Sequence, residues 1–211
     1  MKNLIPYAFL KITLLALIMI INSSCADSEK PEDTKDVAEE HNEAKFENTV
    51  LEKDAQFLVN AAELSLEQIQ LGQLAQQNSN MIDVMRLGKM METEHTKSLK
   101  VLNAIAQKKL ITVPVSITDD AQEVYTYLSK KTGNKFDKTY CTKLIKEHKE
   151  AIALFEKAST ELSDHEIREW AIATLPILRA HLDQAITCQK YCAKWISKFK
   201  YKQIGYAQIV N

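Results

Sequence analysis

Glycine and proline are scarce, with four of each in 211 residues. β-Sandwiches and barrels rely on frequent turns, so this scarcity argues against both, while the abundance of Ala, Leu, Ile, Lys, Glu and Gln favours helix. An apolar run long enough to cross a bilayer is also missing. The longest candidate, Ile12 to Ile21, contains Thr13 and is preceded by Lys11, and it falls well short of the roughly 20 residues a spanning helix needs. Nor is there a concentrated basic stripe. The formal net charge is −1, and the lysines are spread along the chain, which excludes the electrostatic footprint of a nucleic-acid binder.

What is present begins at the N-terminus. Lys2 and Lys11 flank a short aromatic and apolar segment, the apolar run follows, and Asn22-Ser23-Ser24-Cys25 closes it. A basic segment, a short apolar core and small residues in that order form a secretory signal, expected over residues 1–24. The cysteine resembles the bacterial lipobox, in which it becomes the first residue of the mature chain and carries acyl groups; Asn22 departs from the aliphatic residue usual there. Lipidation at Cys25 therefore predicts a membrane anchor and an address in the bacterial cell envelope, facing the periplasm or exposed on the surface. From Ala26 to Asp54 acids outnumber lysines eleven to four, so residues 25–53 are expected to form a solvated, mobile tether. Acidic residues after such a cysteine also resemble the export tags of some surface lipoproteins.

Beyond the tether the length suits one domain with one core. Apolar residues at helical spacing predict four long helices. The first runs from Lys53 to Gln77 through Phe57, Leu64, Leu71 and Leu74, and Asn78-Ser79-Asn80 turns the chain. The second, Met81 to Lys108, passes through Met85, Gly88, Leu99, Leu102 and Ala106. Pro114 keeps the following stretch extended, and Thr118 caps a short helix ending before Gly133. A third long helix is expected to start at Asp137 as its cap and to reach Glu161 through Cys141, Leu144, Ile152 and Phe155. The fourth, capped by Ser163 or Asp164, runs to about Phe199 and carries Pro176, where a kink is expected. Two hairpins joined by a long crossover make an all-α, ferritin-like four-helix bundle over residues 54–200, with 201–211 as a tail.

Polar residues interrupt the apolar seams. Glu67 lies on the first, Glu92 and His95 on the second, His148 on the third and His181 on the fourth. Glu92 and His95, three apart, share a helix face and could bind one metal together. Counted from the connecting turns, Glu67 and His95 fall within about 6 Å along the axis at about 1.5 Å per residue, and His148 and His181 are offset by a similar amount. Each helix thus offers one polar group near the same layer. Imidazole and carboxylate suit zinc, copper, iron or manganese. A metal-free Glu–His hydrogen-bonded network would satisfy the same buried groups, and both readings stand at this point.

The segments LSLEQIQLGQLAQQNSN, MMETEHTKSLKVLNAIA, GNKFDKTYCTKLIKEHKEAIALFEKA and LPILRAHLDQA, in this order, resemble the ferritin-like bacterial envelope proteins called domain-of-unknown-function family 4142. The resemblance covers about Asp54 to Cys192. It implies a ferritin-like fold, an envelope location and no established activity. It also implies that the family's helix-one glutamate is Glu67, its acid–histidine pair Glu94-His95, its later histidines His148 and His181, and its F-D-x-x-Y motif Phe136, Asp137 and Tyr140. Di-iron ferritin-like enzymes require a second E-x-x-H on the fourth helix and an acid on the third. Leu178 and His148 stand there instead, so a redox enzyme is disfavoured. One metal held by Glu67, His95, His148 and His181, assisted by Glu92 or Glu94, stays compatible with these residues, and a structural or interaction module of the envelope with a metal-free polar network is the equal alternative.

Three cysteines follow Cys25: Cys141, Cys188 and Cys192. Export permits a disulfide. Cys141 and Cys188 each lie seven residues further from the third–fourth connection than His148 and His181, so they share a level and are expected to pair, with Cys192 the rival partner and free buried thiols the equal alternative.

Overall fold

The computed structural model describes residues 32–207, with side chains through Lys194. The expected signal and the lipidation site Cys25 lie outside the described residues. Among the described residues there are six helices: α1 Thr34–Phe46, α2 Glu52–Asn78, α3 Ile82–Lys109, α4 Asp119–Ser129, α5 Gly133–Glu161 and α6 His165–Ala207. Among the described residues none is long and apolar enough to cross a membrane.

α2 and α3 form one antiparallel hairpin, α5 and α6 another. Their relative direction follows from who meets whom at the ends. The Asn78 amide, at the end of α2, donates to the Ser129 and Lys131 carbonyls just before α5. At the opposite end the Asp54 carboxylate, at the start of α2, accepts the Ser163 and Asp164 amides at 2.9 and 3.0 Å. The four long helices therefore run up, down, down and up, as one full-length crossover requires. α2 packs on α5 and α3 on α6.

The crossover is built as its sequence predicts. Thr118 Oγ1 accepts the Ala121 amide at 3.2 Å and caps α4. Asp164 accepts the Ile167 amide at 3.1 Å at the start of α6. Leu110 ends α3 at φ 58, its amide bonded back to Ala106 and Gln107. That left-handed position favours glycine, and the chain adopts it with leucine.

Three expectations are corrected. Residues 34–46 are a docked helix and no mobile tether: α1 buries Ala38, Asn42 and Phe46. Lys35 pairs with Glu63 at 2.7 Å, and the Asn42 amide exchanges two bonds with the Thr112 backbone, at 2.7 and 2.8 Å. Its acids sit on the solvent side, which is why composition concealed a narrow apolar stripe. Asp137 does not cap α5; the helix starts four residues earlier at Gly133, and Asp137 is fully buried inside it. α6 continues through Pro176 to Ala207, so the tail beyond Phe199 is helical to that point. Pro176 is exposed.

α2 and α3 approach closely at Gly72 and Gly88. A Cβ on either would lie 2.6 Å from the other's carbonyl oxygen. The core forms two apolar clusters. One surrounds Phe57, Leu58, Leu102, Phe155 and Ile167; the other surrounds Leu71, Met91, Phe136, Tyr140 and Leu144. Between their positions along the helices comes a layer of histidines.

Candidate metal centre

On α3 the inward positions include Leu87, Gly88, Met91, His95 and Leu102; on α5 they include Cys141, Leu144, His148 and Ala151. Spacings of three and four keep these residues on one face, so His95 and His148 are carried inward by their neighbours. On α6, Leu178, His181, Ala185 and Cys188 do the same. The three imidazoles meet at the centre. Ring centroids are 5.7 Å apart for His95 and His148, 5.3 Å for His95 and His181, and 5.4 Å for His148 and His181. This is a nearly equilateral triangle, one ring from each of three helices.

All three rings are buried, at 3%, 0% and 3% exposure for His95, His148 and His181. One nitrogen of each has no hydrogen-bond partner: His95 Nε2, His148 Nε2 and His181 Nδ1. Ligand atoms of the three residues lie within 4.8 Å of one another. Burial holds His95 well below its usual range, reinforced by the two neighbouring rings. Burial likewise lowers His148 to about 4, and His181 to about 4 with help from His148. At neutral pH all three are uncharged and carry free lone pairs, the form a metal binds. A tetrahedral ion with metal–nitrogen bonds of about 2.0–2.1 Å needs its nitrogens roughly 3.4 Å apart. Rotation of the rings and small shifts of the helices would close the difference.

The expected carboxylates take other places. Glu67 forms an ion pair with Lys143 at 3.1 Å, and Lys143 also holds Glu147. The inward position of α2 in that turn is Gln68, fully buried, whose amide donates to Glu147 at 2.8 Å. Burial and the nearby Glu67 charge push Glu147 up to about 7. Sequence spacing placed Leu64 on the seam, but the buried line of α2 runs through Ala61, Ser65, Gln68 and Gly72, about 100° from Glu67. Glu92 is displaced for the same reason: Met91 takes the inward position one turn before His95. Glu92 receives hydrogen bonds from Lys89, Gln76 and Gln73, which lower it to about 2. The E-x-x-H pair therefore does not converge.

Glu94 stands closer. It lines a cleft of about 260 Å³ together with His95, His181, Trp170 and Ile177, and its charge acts on His181 against the burial effect. Its carboxylate is held by Lys97 at 2.8 Å. The cleft leads from solvent to the histidine layer.

A second group of donors lies further up the same hairpin. Cys141, Cys188 and Cys192 are buried free thiols whose sulfurs lie within 4.8 Å of one another. The shared level expected for Cys141 and Cys188 holds, but no bond joins them, and Cys192 is a full member of the group. The sequence reading missed this trio because it sought one pair. The signal was available in Cys188 and Cys192, four apart on one helix face. The three thiols act on one another: Cys141 and Cys188 close by lower the Cys192 thiol, while Cys188, Cys192 and burial raise Cys141.

The family described as Domain of unknown function (DUF4142) matches residues 38–187, a span that includes α2 to α5 and the three histidines. No curated protein and no solved structure matches the chain. The chain belongs to the DUF4142 family.

Proposed function

We propose that this protein is a lipid-anchored component of the bacterial cell envelope whose bundle holds one transition metal ion through His95, His148 and His181. The observation that carries the metal reading is a set of three buried imidazoles, each with an unpartnered nitrogen, whose ligand atoms lie within 4.8 Å of one another in the core. A buried acceptor without a partner costs on the order of 1–3 kcal/mol, and a single ion would satisfy all three. Three imidazoles suit zinc or copper better than manganese, and with three protein ligands a fourth position faces the cleft beside Glu94. The anchor rests on the Lys2-to-Cys25 pattern and on the envelope setting implied by the family resemblance.

A metal-free polar network that fixes helix register accounts for Glu67, Gln68, Lys143 and Glu147, which bond to one another. It does not account for the histidines, which form no hydrogen bonds among themselves. Calorimetric titration of metal-free protein with zinc and copper tests the site; a tight binding step that disappears in His148→Leu is expected. Absence of tight uptake of any of zinc, copper, iron or manganese would end the proposal. For the anchor, Cys25→Ser is expected to move the protein out of the membrane fraction.

A further inference from the structure

Outside the histidine layer, the strongest unassigned chemistry is the thiol trio. Cys141, Cys188 and Cys192 are 0%, 4% and 2% exposed. Two come from successive turns of α6 and one from α5, so their sulfurs approach from two sides. A metal–sulfur bond of about 2.3 Å puts thiolates of one tetrahedral sphere roughly 3.8 Å apart, and the observed limit of 4.8 Å is within a side-chain adjustment of it.

A second, independent observation points at the same place. Asp137 precedes Cys141 by one helical turn and is fully buried, yet neither carboxylate oxygen has a hydrogen-bond partner. Burial raises its carboxyl, the Ser79 side chain beside it works the other way, and Cys192 adds to the rise. The Tyr140 hydroxyl is buried and unpartnered as well, with Cys141 and Cys188 among its neighbours. A buried acid next to the thiols, with only Ser79 and Cys192 acting on it, is a group that a cation would hold in its ionised form. Access exists: a cleft of about 270 Å³ reaches Cys188 and is lined by Asp83, Met90 and Tyr191. A thioether and a carboxylate thus line the route, and thiolate and thioether donors favour soft ions.

We infer that Cys141, Cys188 and Cys192, with the Asp137 carboxylate beside them, form a second metal site that takes a soft d10 cation, Cu(I) foremost. Binding is a proton exchange with no change of oxidation state: the copper enters as Cu(I) and remaining thiol protons leave to solvent as the sulfurs ligate. The site is separate from the histidine layer, two helical turns or about 10.5 Å along the axis.

The test uses the full chain with Cys25→Ala in every arm, fully reduced and metal-free, titrated with Cu(I) against a chromogenic Cu(I) chelator. One tight Cu(I) is expected, with thiolate-to-copper charge-transfer absorption in the ultraviolet and sulfur neighbours in the copper absorption edge. Cys188→Ala and Cys192→Ala should each weaken binding by roughly 100-fold or more, given that loss of even an outer partner costs about 10–100-fold. The double variant His148→Leu/His181→Leu should keep the absorption. Helix content and Tm of each variant are recorded, and the unsubstituted thiol site supplies its own spectroscopic readout should a variant fail to fold. No uptake by protein with all three thiols verified free would overturn the inference. So would a copper edge showing only nitrogen neighbours, or Cu(I) binding that survives both cysteine substitutions when they are made in the His148→Leu/His181→Leu background.

Discussion

The Nδ1–H of His148 donates to the Leu144 carbonyl, 2.9 Å away and one turn earlier in α5. A carbonyl only accepts, so this bond places the hydrogen on Nδ1 and leaves Nε2, which has no partner, with a free lone pair. Orientation of one ring nitrogen by a hydrogen bond from the other is how metal-binding histidines are commonly set.

His148→Leu is expected to separate holding a metal from holding the fold. Without metal, the variant should melt at or above the wild-type temperature, because an apolar side chain of similar size replaces a buried group with an unsatisfied nitrogen. The rise in Tm that zinc gives the parent should shrink. Differential scanning calorimetry with and without metal reads both, and a large loss of stability in the metal-free variant would show that His148 holds the fold through contacts of its own.

Acid should destabilise the metal-free protein in a defined window. His148 and His181 titrate near 6.5 when unfolded and near 4 when folded, so between those values the unfolded chain binds more protons. Stability is complete above about pH 6.5, falls as pH drops, and levels off below about 4 as far as these groups are concerned. For His148 alone the full loss is roughly 3 kcal/mol. Urea midpoints at pH 7, 5.5 and 4.5 should fall in that order, and less steeply in His148→Leu.

Gly88→Ala should be among the most damaging single methyl additions to the bundle. Its Cβ would sit 2.6 Å from the Gly72 carbonyl oxygen and 2.7 Å from the Ala75 Cβ. The first obstacle is helix backbone, so α2 and α3 would have to separate. A cost at or above the roughly 1–3 kcal/mol of ordinary overpacking is expected, measured as a lower urea midpoint.

Asn42→Ala removes the partner of both Thr112 backbone groups. A loss of about 2–3 kcal/mol in the docking of α1 is expected from two hydrogen bonds and the groups left bare. Limited proteolysis should then cut between residues 34 and 46 well before the bundle, while the parent resists. Equal cutting rates would show that α1 is held by other contacts.

The long helices and their order were legible because each has an apolar stripe many turns long, and the histidines were legible because they break such stripes at matching distances from the turns. Facing direction was harder to read. A shift of one residue turns a side chain by about 100°, so the leucine seam through Leu64 drew Glu67 inward when Gln68 is the buried residue. α1 escaped notice because its apolar stripe is only Ala38, Phe46 and the polar Asn42, too little to stand out among acids. Asp137 resembled a cap because an acid near a helix start usually is one; only packing shows that the helix begins earlier.

His148 and Cys141 are seven residues apart on α5, and so are His181 and Cys188 on α6. The short turn through Ser163 therefore acts as a common gauge for both donor layers. One residue inserted between that turn and His181 would slide α6 by about 1.5 Å and rotate it by about 100°, misaligning both layers at once. The same insertion in α3 just before His95 would disturb the histidine triangle and leave the three thiols aligned. Length variation is thus tolerable in the crossover and forbidden in the α5–α6 hairpin, and a single deletion there would silence both layers without touching any donor.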